Sequence, residues 1–230
     1  IGSNMNKLAE GAEKIDKKYS TRIFISSIDA TNELDIVKLK HTIFSKFDAY
    51  PDILINDSVI EFEYSNEEDI SNVKLNEIII KEWHRIMHEE LTGILLLIKF
   101  FGYQMAKANS GVILNILSDM YLNPKGDIIN SMRKVNDIAS IALTNGLLGL
   151  TKYIATYWNG KNVRANSLTV GAYNEDSYNR EDRAFLINQV PIGRLADNDE
   201  FKAAIIFLVS DASSYMTGSN LVINGGRTCW

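Results

Sequence analysis

A chain of 230 residues with 46% hydrophobic and 23% charged residues can bury a sizeable core, and a single globular domain is expected. A net charge of -5 and a pI near 5.3 lack the basic stripes that a phosphate backbone requires, so nucleic acid is not an expected partner. One cysteine, Cys229, excludes an internal disulfide framework and fits a reducing cytoplasm; the longest apolar stretch, 94–101, carries a lysine and falls short of the roughly 20 residues of a membrane span.

In chain order, Met5, Leu8, Ala12 and Ile15 recur at helical spacing with charges between them, predicting a surface helix over 4–19. The β-rich run 21–28 predicts a strand ending at Asp29, followed by turn residues and a helix. Residues 51–56 are nearly all apolar, as in a parallel strand buried on both faces, and 57–74 reads as a polar loop with an acidic, exposed centre. From about Leu75 to Lys107, Trp83, Met87, Leu91, Leu95 and Ile98 mark a long core-facing helix. A strand at 111–117, a loop, a helix at 131–158, a strand at 162–168, a short helix at 201–209 and a last strand at 220–225 complete the pattern. Strands alternating with helices predict an α/β fold: a doubly wound parallel sheet in three α/β/α layers, Rossmann-like, with ligands at the carboxyl ends of the strands.

The segments GLLGLTKYIATYWNGKNVRANSLTVGAYN and PIGRLADNDEFKAAIIFLVSDASSYMTGSNLVINGG resemble the C-terminal half of the short-chain dehydrogenases/reductases almost segment by segment. Their flavour is nearest to members acting in bacterial surface-sugar or flagellin modification. The resemblance implies an NAD- or NADP-dependent oxidoreductase. Asp29, in IDATN, stands where the family has a strand-end aspartate that contacts the adenine; a turn or cap aspartate is an equal reading. DILINDSV at 52–59 stands where the family has D-I-L-V-N-N-A-G: Asn56 is kept, Asp57 replaces the second asparagine and Val59 replaces the glycine. Gly171 remains from the family's S-P-G, with Val170 in place of the proline.

The family's chemistry needs a tyrosine that moves a proton to or from the substrate oxygen. A lysine four residues later lowers that tyrosine's pKa and holds the nicotinamide ribose. Anchored on GLLGLTK, these positions are Ser140 and Thr144. A serine hydroxyl is a far weaker acid than a phenol, and threonine carries no charge. The family's strand-end serine is retained as Ser118, which as an isolated residue reads more readily as a turn former, and its helix asparagine is replaced by Glu90.

The family's opening strand and glycine-rich T-G-x-x-x-G-x-G turn do not occur among these residues. Either Ile1-Gly2-Ser3 is the tail of that turn, with Gly2 at the cofactor, or 4–19 is the family's second helix. A missing central strand would leave buried edges unpaired, so further native residues are expected before Ile1, and 1–230 is read as one N-terminally incomplete domain.

His84 and His88 share a helix face, but Arg85 stands where H-E-x-x-H needs glutamate, so an ordinary exposed face is expected rather than a metal site. Two functions follow. One is a family member whose hydride transfer is lost or strongly reduced, serving as a structural or regulatory homo-oligomer (dimer or tetramer), possibly paired with an active relative. The other is a working reductase of a sugar or other carbonyl compound with an unusual proton donor, for which Tyr121 is the candidate.

Overall fold

The computed structural model describes residues 1–58, 80–122, 137–174 and 178–229, with the backbone alone for Glu82, Tyr121 and Asp137. Its sheet has four parallel strands, β1 (Ile53–Asp57), β2 (Gly111–Ser118), β3 (Val163–Val170) and β4 (Asn220–Ile223), in the spatial order β1-β2-β3-β4. Parallel neighbours require crossovers, and the helices supply them on both faces. The doubly wound, Rossmann-like architecture expected from the sequence is present.

Helix α1 (Met5–Tyr19) is capped by Asn4, whose side chain accepts from the amides of Asn6 and Lys7, and none of its residues is buried. The segment expected to form the next strand does not: among the described residues only Ser27 pairs, in a single parallel bridge to Gly2. One bridge, with Gly2 N donating to Ser26 O and Ile28 N to Gly2 O, cannot sustain a ladder. Helix α2 (Glu33–Phe47) then starts on the Asn32 cap and buries Ile36 and Leu39.

The strand expected to be buried on both faces is instead one-sided. In β1, Leu54 and Asn56 are buried whereas Ile53 and Ile55 are 43% and 45% exposed. Among the described strands β1 pairs only with β2, so it is the edge of the sheet.

The long helix is also more broken than its periodicity predicts. It runs through α3 (Ile80–Ile86), a π turn (Met87–Thr92), α4 (Gly93–Leu97), a second π turn (Ile98–Gly102) and α5 (Tyr103–Ala108). Each π turn inserts a residue and shifts the buried stripe. The core therefore receives Ile94, Leu97, Ile98 and Phe101, while Leu95, expected inside, is 44% exposed.

Helix α6 (Asp137–Tyr157) lies against β2 and β3. Its stretch Ile138–Tyr157 is long and apolar enough, by length and composition alone, to cross a membrane, which the sequence reading did not single out. Ala139, Leu143, Leu147 and Ile154 of this helix join α2 and the long helix in one core. A Cβ on Gly102 would come within 2.3 Å of the Trp158 ring, so the absence of a side chain sets the approach of these two helical layers. The other face of the sheet is covered by α8 (Lys202–Val209): Ala204 and Leu208 pack with Phe201 on Leu114, Leu168 and Val170. Helix α7 (Arg180–Asn188), capped by Asn179, precedes it.

Candidate active site

Parallel strands deliver their carboxyl ends to one edge, where this fold binds ligands. The register pairs Asn56 with Asn115 and Asp57 with Ile116, so β1 ends beside Ile116 while β2 runs on to Ser118 at the same carboxyl edge. Ser58 is tied there by its Oγ, which donates to Ile116 O at 2.7 Å. Beneath the edge, a buried polar chain crosses the sheet: Asn56 Nδ2 donates to Asn115 Oδ1 at 2.8 Å, and Asn115 Nδ2 to Thr151 Oγ1 at 2.9 Å. Asn56 Oδ1 is buried with no hydrogen-bond partner among the described residues.

Ser118 caps a short 3-10 turn, Asp119–Tyr121, its Oγ accepting from Met120 N at 3.3 Å. This is the turn-forming role that a strand-end serine has by default. Tyr121, the alternative donor, closes that same turn, and its side chain lies outside the described residues.

The next residue was missed by sequence reasoning. Asp119 is fully buried, and Arg227, from the turn Arg227–Cys229 after β4, donates through Nη1 to its Oδ1 at 3.2 Å. Arg227 Nε donates to Gln189 Oε1 at 3.1 Å. Asp119 Oδ2 is buried without a hydrogen-bond partner among the described residues. Burial pushes the Asp119 carboxyl above its usual range and the Arg227 charge pulls it back. The signal available was an aspartate directly after the strand-end serine and a lone arginine after the final Gly-Gly; only the fold shows that they meet.

Ser140 and Thr144 stand one turn apart on α6 and are 0% and 5% exposed. Ser140 Oγ is sealed from solvent and has no hydrogen-bond partner among the described residues. At the position that the family resemblance gives to the proton donor there is thus a buried hydroxyl without a hydrogen-bonded base among the described residues. Glu90, at the helix asparagine's position, sits in the first π turn of the long helix and is half-buried. Burial, then Glu89, raises its carboxyl above the glutamate range; Arg85 opposes this and Asp57 adds to it. Arg85 itself is paired with Glu89 at 2.8 Å.

Asp29 is exposed, and its Oδ1 accepts from Thr31 N at 2.8 Å and from Thr31 Oγ1 at 2.7 Å. These two bonds hold its carboxyl below the usual range and place the residue in a local turn. Gly171 is buried, its N–H donating to Ile223 O at 2.9 Å, and a Cβ there would lie 2.7 Å from Asn224 Cα. Its smallness serves the close approach of β3's end to the segment after β4. Val59 and the acidic run 66–69 lie outside the described residues. His84 and His88 are both exposed, and no group of three potential metal ligands occurs among the described residues.

Where the family resemblance places the lysine that would hold the nicotinamide ribose of NAD or NADP, this chain has Thr144, buried and uncharged, which supplies no cation for that group.

Comparison with known proteins defines the class. The family model described as enoyl-(acyl carrier protein) reductase matches residues 2–228. The chain belongs to the short-chain dehydrogenase/reductase family. Trans-4-hydroxycyclohexanecarboxylate dehydrogenase of Sinomonas cyclohexanicum is 32% identical over 226 residues, covering 94% of this chain and 77% of that protein. The 3-oxoacyl-(acyl-carrier-protein) reductase FabG of Vibrio cholerae is 30% identical over 203 residues, 87% of this chain and 75% of the relative. Among solved structures, a gluconate 5-dehydrogenase from Burkholderia cenocepacia in complex with NADP and tartrate superimposes with a TM-score of 0.79 at 22% identity, over 100% of this chain and 85% of that one. That likeness concerns the fold.

Proposed function

We propose that this protein is a short-chain dehydrogenase/reductase whose hydride-transfer chemistry is lost or strongly reduced, and that it serves a structural or regulatory role. The Ser140 hydroxyl carries the reading: by the family resemblance it stands where the proton donor stands, yet it is buried with no hydrogen-bond partner among the described residues. Thr144 supplies no cation to lower a neighbour's pKa or to hold a ribose, and Glu90 brings a carboxylate where the family has a neutral amide. General acid catalysis requires a donor of matched pKa within hydrogen-bonding reach, and neither condition is met by these residues.

The relatives that match over most of this chain are named as dehydrogenases and reductases, and the gluconate 5-dehydrogenase of the same fold is complexed with NADP, which supports descent from enzymes of that kind. A cytoplasmic homo-oligomer, or an assembly with an active relative of the same fold, is the setting in which such a chain would act; the exposed aromatic residues Tyr153 and Tyr157 on α6 and Tyr103 on α5 are the surface we assign to that contact. Carbonyl reduction assayed with NADH and NADPH tests the reading: turnover that disappears in Ser118→Ala contradicts it. Size-exclusion chromatography with light scattering tests the assembly, for which a monomer at micromolar concentration is the contrary result.

A further inference from the structure

We infer that Asn159–Gly160, in the turn between α6 and β3, is a site of spontaneous deamidation, which converts a neutral amide of this chain into an aspartyl or isoaspartyl carboxylate. The turn lies where β3 begins, at the end of the sheet opposite the candidate active site, so it is independent of the proposed loss of chemistry.

The Gly160 nitrogen attacks Cγ of Asn159, a new C–N bond closes a succinimide ring, the bond from Cγ to Nδ2 breaks, and the proton released by the Gly160 nitrogen leaves with ammonia. Water then opens the ring at either carbonyl. One product is aspartate; the other is isoaspartate, whose backbone is longer by a methylene. No electrons are transferred, and water is the co-reactant. Ring closure needs a backbone nitrogen free of a hydrogen bond and a following residue without a side chain in the way.

Three asparagines precede a glycine: Asn145, Asn159 and Asn224. Their surroundings separate them. Asn145 lies within α6, whose hydrogen-bonded repeat fixes the backbone, and its Nδ2 donates to Ile141 O at 2.9 Å. Asn224 is 9% exposed; its Nδ2 donates to Thr228 Oγ1 at 2.9 Å and its Oδ1 accepts from Gly226 N at 3.1 Å. Gly225 beside it is packed, since a Cβ there would lie 2.5 Å from Val190 Cγ1. Asn159 and Gly160 are instead both exposed, in a turn that Lys161 N closes by donating to Trp158 O at 2.9 Å. Gly160 has a φ of +75°, and nothing stands within 4 Å of where its Cβ would be. Neither the Asn159 side chain nor the Gly160 N–H is held by a hydrogen bond among the described residues. The two protected sites must open locally before they react, whereas Asn159 is ready in the folded chain.

Incubation of the purified chain in mildly alkaline buffer, sampled over time by tryptic digestion and tandem mass spectrometry, tests this. The peptide Tyr153–Lys161 carries Asn159 as its sole asparagine. The expected result is conversion of Asn159 at least about tenfold faster than Asn145 or Asn224 in the folded chain, with the three rates drawing together when the chain is unfolded in denaturant. Isoaspartate is expected in that peptide beside aspartate, read by its acceptance of a methyl group from an isoaspartyl methyltransferase. Aspartate without isoaspartate overturns the ring-closing route. A folded chain in which Asn159 keeps its amide while the unfolded chain loses it overturns the inference, as does conversion of Asn145 or Asn224 as fast as that of Asn159 in the folded chain.

Discussion

Arg227 Nη1 and Asp119 Oδ1 meet at 3.2 Å, joining the turn after the last strand to the residue that follows Ser118, across 108 positions of sequence. The carboxylate is fully buried and the arginine side chain is 12% exposed, so each depends on the other for charge compensation. Removing one partner leaves an uncompensated buried charge. Arg227→Met is therefore expected to cost roughly 3–5 kcal/mol in chemical denaturation at neutral pH. Asp119→Asn, which removes the buried charge while keeping an acceptor for Arg227, is expected to cost clearly less. Equal losses in the two variants would show that the pair is not the source of the effect.

The same pair has a pH signature. The Asp119 carboxyl is already raised in the folded protein, and loss of Arg227 would raise it further. An acid whose folded value lies above its unfolded value favours folding when protonated. Its contribution is present below the unfolded value, 3.8, and is lost as pH rises through the folded one. The deficit of Arg227→Met should thus be largest at neutral pH and shrink on acidification. A deficit independent of pH contradicts this assignment.

Glu90 obeys the same sign. Its carboxyl is raised above 4.5 mainly by burial, so its ionisation opposes folding as pH rises. Glu90→Gln is predicted to raise Tm at neutral pH, with the gain vanishing below the ordinary glutamate range. A Tm that falls at neutral pH would mean that the carboxylate is held by a favourable partner instead.

Restoring the family's tyrosine should not restore a family active site. Ser140 is 0% exposed, and a phenol in its place must displace packed neighbours, at a cost of about 1–3 kcal/mol. Ser140→Tyr is expected to lower Tm in a thermal scan; an unchanged Tm would reveal room for the ring and an open cleft. Gly171→Ala belongs to the same class, because its Cβ would lie 2.7 Å from Asn224 Cα and force the end of β3 away from the segment after β4. A loss of about 1–3 kcal/mol is predicted.

Much of this was legible in the sequence because hydrophobic runs report burial directly. The run 111–117, which forms most of β2, could be placed without coordinates. Periodicity failed where backbone geometry departs from its ideal repeat: the π turns at Met87–Thr92 and Ile98–Gly102 swung Leu95 outward and brought Ile94 in. It failed again at 21–28, since β propensity makes a strand only where a partner ladder exists, and Ser27 finds only Gly2. The Asp119–Arg227 pair was invisible because no local pattern joins residues so far apart. Asp29 and Gly171 show the reverse: residue types chosen for a ligand are equally explained by the turn at Thr31 and the close approach to Asn224.

The loss of hydride transfer is tested most directly by following NADH and NADPH consumption by the purified chain over a panel of sugar, cyclic-ketone and 3-oxoacyl substrates. The account predicts no consumption above the enzyme-free rate for any pair. Consumption that persists through purification and is abolished by Ser118→Ala or Tyr121→Phe would contradict it, and would place a working proton donor at the end of β2.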